Sequence, residues 1–178
     1  AHYQGLADGA SENWDFLDPL TDTQVLDFYH ACQYLKGVAQ GLYPRSLSQR
    51  EAWLEKQCHA LKHKHGAAEA ILTVMQTMDA DKLSKSNRDA LQAAITYFRN
   101  HAHQMKYAAA MEQHLPIGSG VTEAGCKTIG KARLGGAGMK WKDACAAIVL
   151  SLRTLSYTQG RWSQFWAKIN QYGFSLAV

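Results

Sequence analysis

The sequence predicts a predominantly helical chain with a small α/β portion at its start, and three observations predict it. Two short runs near the N-terminus have strand character, Tyr3 to Leu6 and Gln24-Val-Leu-Asp-Phe-Tyr29. From Ser46 onward, apolar residues recur mostly at helical intervals. A late stretch, Leu115 to Arg133, is punctuated by Pro116, Gly118 and Gly120 and then reads as a helix with an acid, Glu123, in its first turn. A handful of strand residues cannot make a complete sheet. Either the fold is all-α, or the rest of a sheet lies upstream of residue 1.

Each element has its own signal. Tyr3 to Leu6 runs into the turn dipeptide Asp8-Gly9. Ser11 to Leu17 forms a short helix that Pro19 closes. The second strand, Gln24 to Tyr29, is β-branched and aromatic. A helix from His30 to Leu42 ends at Tyr43-Pro44. Leu47, Trp53, Leu54, Cys58 and Leu61 form one apolar stripe, broken at Gly66. Ala67 to Met78 is a further helix, and Asp79 to Ser86 a polar loop. Ser86 or Asn87 caps the next helix, which carries Leu91, Ile95 and Phe98 and runs on toward Met111. After Pro116, residues 119–134 form the helix of Glu123, with Ser119 opening it. Leu134 to Gly138 is a flexible break, and two helices follow, Asp143 to Tyr157 and Arg161 to Tyr172.

Composition bounds the function classes. A chain of 178 residues with 47% hydrophobic and 19% charged residues fits one globular core. No apolar run reaches the roughly 20 residues that span a bilayer, and no signal peptide is expected. The start, Ala-His-Tyr without Met, reads as that of a fragment or a processed piece. A net charge of +4 permits nucleic-acid binding without demanding it. Cys32, Cys58, Cys126 and Cys145 form no C-x-x-C pair and read as buried free thiols of a reducing cytosol.

The acids carry the chemical question. Asp8 follows the first strand run, Asp27 lies late in the second, with His30 three residues on, and Glu123 stands at a helix start. Strand ends and helix N-termini are where α/β folds place ligands. Carboxylates converging there suit Mg²⁺ or Mn²⁺, which take oxygen ligands. Taken singly, each residue also has a plain structural reading. Asp8-Gly9 is a common turn, Asp27 a helix cap, and His30 a polar core residue. Glu123 can pair with Lys127 at i+4 for about 0.2–0.5 kcal/mol. Lys127 and Lys131 follow Glu123 on one helix face, and Arg133 extends a ridge of cations suited to a polyanionic strand. Lys140-Trp141-Lys142 places an aromatic between two cations, a pattern that can stack a base and neutralise phosphates. His59 and His63 have a zinc-compatible i,i+4 spacing, but no set of partners completes a site. Ser-His-Asp order, a nucleophile elbow and a phosphate-cradling loop do not stand out.

Combined, these segments resemble a known family. Asp8-Gly9-Ala10 with Trp14, Val25 to Ala31, Tyr97 to Tyr107, Leu115 to Lys127, Gly138 to Trp141, Leu152-Arg153 and Arg161-Trp162 occur in order. The chain resembles bacterial insertion-sequence transposases of the DDE, RNase H-like superfamily, of the ISKra type. The resemblance implies the C-terminal part of an RNase H-like domain, with a helical insertion before its last catalytic helix. On that pattern, 1–44 holds partial strands and a helix, 45–114 the insertion, and 115–178 the catalytic-Glu helix and the final helices. The family's second catalytic Asp matches Asp8 and its Glu matches Glu123, both as metal ligands. Asp27 and His30 match a supporting D-x-x-H signature, and Asp27 is the alternative second Asp. The first catalytic Asp belongs on a strand upstream of these residues.

The resemblance further implies a two-metal Mg²⁺ or Mn²⁺ site and DNA, both element ends and target, as partner. Lys127, Lys131, Arg133, Lys140, Trp141 and Lys142 would contact that DNA. A homo-oligomeric active complex in the bacterial cytoplasm, at the nucleoid, is expected, with no membrane association. The reaction expected is cleavage at the element end, then attack of the freed 3′-hydroxyl on target DNA. The other readings are an inactive truncated remnant that binds DNA or protein through its helices, and an unrelated helical scaffold.

Overall fold

A computed structural model describes residues 3–173, which are predominantly helical. The chain forms two compact units, one ending at Ser119 and the other beginning at Gly120.

The first unit opens on β1 (Gln4–Ala7), α1 (Ser11–Leu17), a 3₁₀ turn (Asp18–Leu20) and β2 (Thr23–Leu26). The strands pair in parallel, with Leu6 opposite Val25 and Ala7 opposite Leu26. Parallel strands need a crossover of a dozen or more residues, and α1 with its 3₁₀ turn supplies it. Helices α2 (Phe28–Leu42), α3 (Leu47–His63), α4 (Ala67–Gln76), α5 (Lys85–His101) and α6 (Tyr107–Glu112) complete the unit.

Helix α2 is the centre of the core. Its Ala31, Leu35, Val38 and Ala39 are buried on one stripe. Helix α5 answers with Leu91, Ala94, Ile95 and Phe98. The two approach closely where α2 has glycine: a Cβ on Gly41 would lie 3.1 Å from Asn87 Cβ. Leu61 of α3, Ile71 and Met75 of α4, and Tyr107 and Ala110 of α6 close the cluster. Leu26 and Val25 join it from the sheet.

Several boundaries differ from the sequence reading. The second strand ends at Leu26, because the Asp27 carboxylate accepts the His30 amide and starts α2 with Phe28. Ser84, not Ser86 or Asn87, caps α5 by accepting from the Asn87 amide. Helix α5 stops at His101, where a 3₁₀ turn (Ala102–Gln104) buries Gln104 before α6 begins. Cys32 and Cys58 are half-buried free thiols, whereas Cys126 and Cys145 are exposed rather than buried.

The second unit contains α7 (Gly120–Gly125), a π-helical segment (Cys126–Lys131), α8 (Ala132–Leu134), α9 (Asp143–Tyr157) and α10 (Arg161–Tyr172). Helices α9 and α10 join through Gly160 at φ +77°, a left-handed turn that glycine makes without strain. Trp162, Phe165 and Trp166 form an aromatic group on α10. Among the described residues of this unit none is buried. No helix among the described residues is long and apolar enough to cross a membrane.

Phe98 is fully buried at the α2–α5 contact. Phe98→Ala is expected to cost about 3–5 kcal/mol, read as a lowered urea midpoint of unfolding. A change below about 1 kcal/mol would contradict this account of the core.

Candidate active site at the strand ends

The parallel register builds the site. Ala7 and Leu26 are directly paired, and the ladder extends one residue further, with the Asp27 amide donating to the Ala7 carbonyl at 2.7 Å. Each strand therefore hands its chain to an aspartate at the same end of the sheet, Asp8 after β1 and Asp27 after β2. Such carboxyl ends are the usual ligand side of α/β sheets.

The two aspartates have different environments. Asp8 is exposed, and its Oδ1 accepts from the Ala10 amide at 3.2 Å and from Asn13 Nδ2 at 2.9 Å. The Ala10 bond is the largest cause holding its carboxyl below the ordinary value, with Asn13 and the nearby His30 adding to it against partial desolvation. Asp27 is 5% exposed. Its Oδ1 accepts from the His30 amide at 2.8 Å, and its Oδ2 accepts from both the amide and the hydroxyl of Ser119, each at 2.6 Å. Burial pushes its pKa up, but the two Ser119 donors and the α2 amides outweigh burial and hold it low.

An aromatic block backs the aspartates. Tyr97 from α5 donates its hydroxyl to the Asp8 carbonyl at 2.9 Å and stacks on Tyr34 of α2 at 4.0 Å. The half-buried His30 ring lies 6.1 Å from each tyrosine. Gly9 turns the chain at φ +97°, and a Cβ there would meet Leu26, Tyr97 and His101 at 3.1–3.4 Å. His101 Nδ1 bonds Gln104 Oε1 at 3.0 Å, and buried Gln104 donates to Gln24 Oε1 at 2.8 Å. Tyr34, Tyr97, His101, Gln104 and Ser119 are thus site residues that the sequence reading gave no site role. The i,i+4 spacing of Tyr97 and His101 is the one local signal that could have exposed any of them.

The stretch ahead of Glu123 is tied to the first unit at both ends of the sheet. Gln4 Nε2 donates to the Pro116 carbonyl at 2.7 Å, and the Phe28 amide to the Ile117 carbonyl at 2.9 Å. A Cβ on Gly118 would come within 2.7 Å of the Tyr29 ring, so a side chain there would displace that exposed ring. The Ser119 hydroxyl donates to Asp27, a tie across 92 residues that its sequence role as a helix opener does not predict.

The remaining predicted residues fall in the second unit. Glu123 is exposed in the first turn of α7. Lys127 and Lys131 are exposed on the π-helical segment, and Arg133 is exposed on α8. Lys140, Trp141 and Lys142 lie in the connection before α9. The two lysines are exposed, but Trp141 is half-buried, and its buried Nε1 has no hydrogen-bond partner among the described residues. The histidines outside the site stay apart from it in role: His59 and His63 face each other at 4.7 Å on α3, and His65 bonds Glu112 at 2.9 Å.

Among the described residues, no group of three or more His, Cys, Asp or Glu is gathered to hold a metal ion. Asp27 is less open to a cation than Asp8, being buried with three donors on its two oxygens. Asp8 fits a hard cation that keeps most of its waters, as its exposed carboxylate needs no rearrangement to reach one. Comparison with protein-family models, curated proteins and solved structures finds no match.

Asp27→Asn places an amide where both oxygens accept, and is expected to cost about 2–3 kcal/mol. Because the folded pKa of Asp27 is depressed, its contribution is full above the unfolded value and is lost as pH falls through the lower folded value. Urea midpoints followed downward from about pH 6 should fall more steeply below about pH 4 for the wild type than for Asp27→Asn. Parallel profiles would contradict the assignment.

Proposed function

We propose that the chain acts as the C-terminal portion of a DDE transposase with an RNase H-like catalytic domain, in metal-dependent DNA cleavage and strand transfer. The observation that carries this reading is the paired end of the two parallel strands, where Asp8 and Asp27 leave the sheet side by side. The same end receives Ser119, the residue immediately ahead of the Glu123 helix. The order and spacing of the segments that resemble the transposase family support it from the sequence side.

The environments divide the acids by role. Asp8 and Glu123 are the metal carboxylates. Asp27 is the positioning acid: its donors fix the start of α2 and the segment before Glu123. His30 stands beside Asp8 and favours its ionised form. A divalent cation, Mg²⁺ or Mn²⁺, supplies neutralisation of charge on the phosphodiester when bound. Lys127, Lys131, Arg133, Lys140 and Lys142 hold the DNA backbone by charge, and Trp141, between the last two, stacks a base. Element-end and target DNA are the partners, and a homo-oligomer at the nucleoid is the working form.

A second reading has its own support. Among the described residues no group of three or more metal-ligating side chains is gathered, which favours an inactive remnant that binds DNA or protein through its helices.

One variant separates the two. In the complete reading frame, Glu123→Gln should lower Mg²⁺-dependent nicking of element-end DNA at least about a hundredfold, an effect of the size seen when a charge-stabilising group is removed. DNA affinity should stay nearly constant. Nicking retained in Glu123→Gln would refute the role given to Glu123, and binding without nicking in the unaltered protein would favour the remnant.

A further inference from the structure

The helix of Glu123 is not a uniform α-helix. Within it, the Ala132 amide donates to the Lys127 carbonyl five residues back, and Cys126–Lys131 form a π-helical segment. Such segments are rare and appear mostly as single turns inside α-helices. The structure supplies a holder. Arg153 of α9 donates through Nε to the Ile129 carbonyl at 2.9 Å and through Nη2 to the Thr128 carbonyl. Its guanidinium carbon also lies 5.5 Å from the centre of the Tyr157 ring, which fixes the fork from behind. Inside the segment, the Thr128 hydroxyl donates to the Ala124 carbonyl at 2.7 Å.

The segment changes which side chains share a face. In a pure α-helix, the eight residues from Glu123 to Lys131 overshoot a whole number of turns by about 80°. A π-helical turn takes more residues, so each one rotates the chain less. The shortfall over Cys126–Lys131 cancels most of that overshoot. Glu123, Lys127 and Lys131 then fall on one narrow stripe, where an α-helix would spread them across a face about 80° wide.

We propose that Arg153 is a positioning residue: by holding the Thr128 and Ile129 carbonyls it sets the π-helical register that aligns Lys131 with Glu123. This rests on the reading of that helix as the DNA-facing carrier of Glu123. Arginine is the side chain this needs. Its rigid fork serves two adjacent carbonyls at once, whereas lysine brings a single point of charge on a flexible stem.

The test uses the full chain in solution. Scalar couplings across hydrogen bonds should connect the Ala132 amide to the Lys127 carbonyl, and Arg153 Nε–H to the Ile129 carbonyl. In Arg153→Lys both should vanish, with a four-residue coupling from the Ala132 amide to the Thr128 carbonyl in their place. Survival of the five-residue coupling in Arg153→Lys would overturn the proposal. If that variant fails to fold, the wild-type chain decides: an absent Arg153–Ile129 coupling overturns it, and a present one supports it.

DNA binding provides the second arm. Lys131→Ala should reduce the slope of log affinity against log salt by about 0.9 in the wild-type background, and by far less in Arg153→Lys. Equal reductions in both backgrounds would overturn the proposal. If Lys131→Ala changes neither slope, the DNA reading of this helix fails, and the couplings alone judge the register.

Discussion

The bond between Asp27 and Ser119 is the constraint on which the described site depends. One buried carboxylate starts α2 through the His30 amide and holds the Leu115 to Ser119 segment through two further donors. A buried carboxylate is costly unless its oxygens are engaged, and here three donors engage them. The same bonds keep the group ionised despite burial. The tie therefore works in both directions. The segment satisfies the charge, and the charge fixes the segment against the ends of the strands.

Around that tie the site is built by close approach. Gly9 and Gly118 sit where a side chain would strike Tyr97, His101 or Tyr29. The stacked Tyr34 and Tyr97 join α2 to α5 and, through the Tyr97 hydroxyl, fix the turn that carries Asp8. The consequence is a division of labour between two neighbouring aspartates. One is locked inside as a structural acid. The other is exposed on a short loop, with Ala10, Asn13 and Tyr97 bonded to it.

Much of the fold was legible in the sequence, for physical reasons. The helices announce themselves through apolar stripes, and α2 and α5 follow theirs closely. The second strand was read too long because Phe28 and Tyr29 have strand propensity, yet Asp27 has the stronger vote as a cap. The stop of α5 at His101 has no glycine or proline to signal it, and follows from burying Gln104 and Met105. The acids of the site were legible as candidates, because strand ends are where ligands gather. Their division of roles was not, since Ser119 lies 92 residues from Asp27. The π-helical segment was equally hidden, as the side chain that serves its carbonyls is on another helix.

The central claim is that Asp27 and Ser119 act as one unit, and a double-mutant cycle measures that directly. Unfolding free energies of the wild type, Asp27→Ala, Ser119→Ala and the double variant give their coupling. Groups that share a buried bond should show a coupling of about 1–3 kcal/mol, with the double variant scarcely worse than Asp27→Ala alone. Additive effects within about 0.5 kcal/mol would contradict the account.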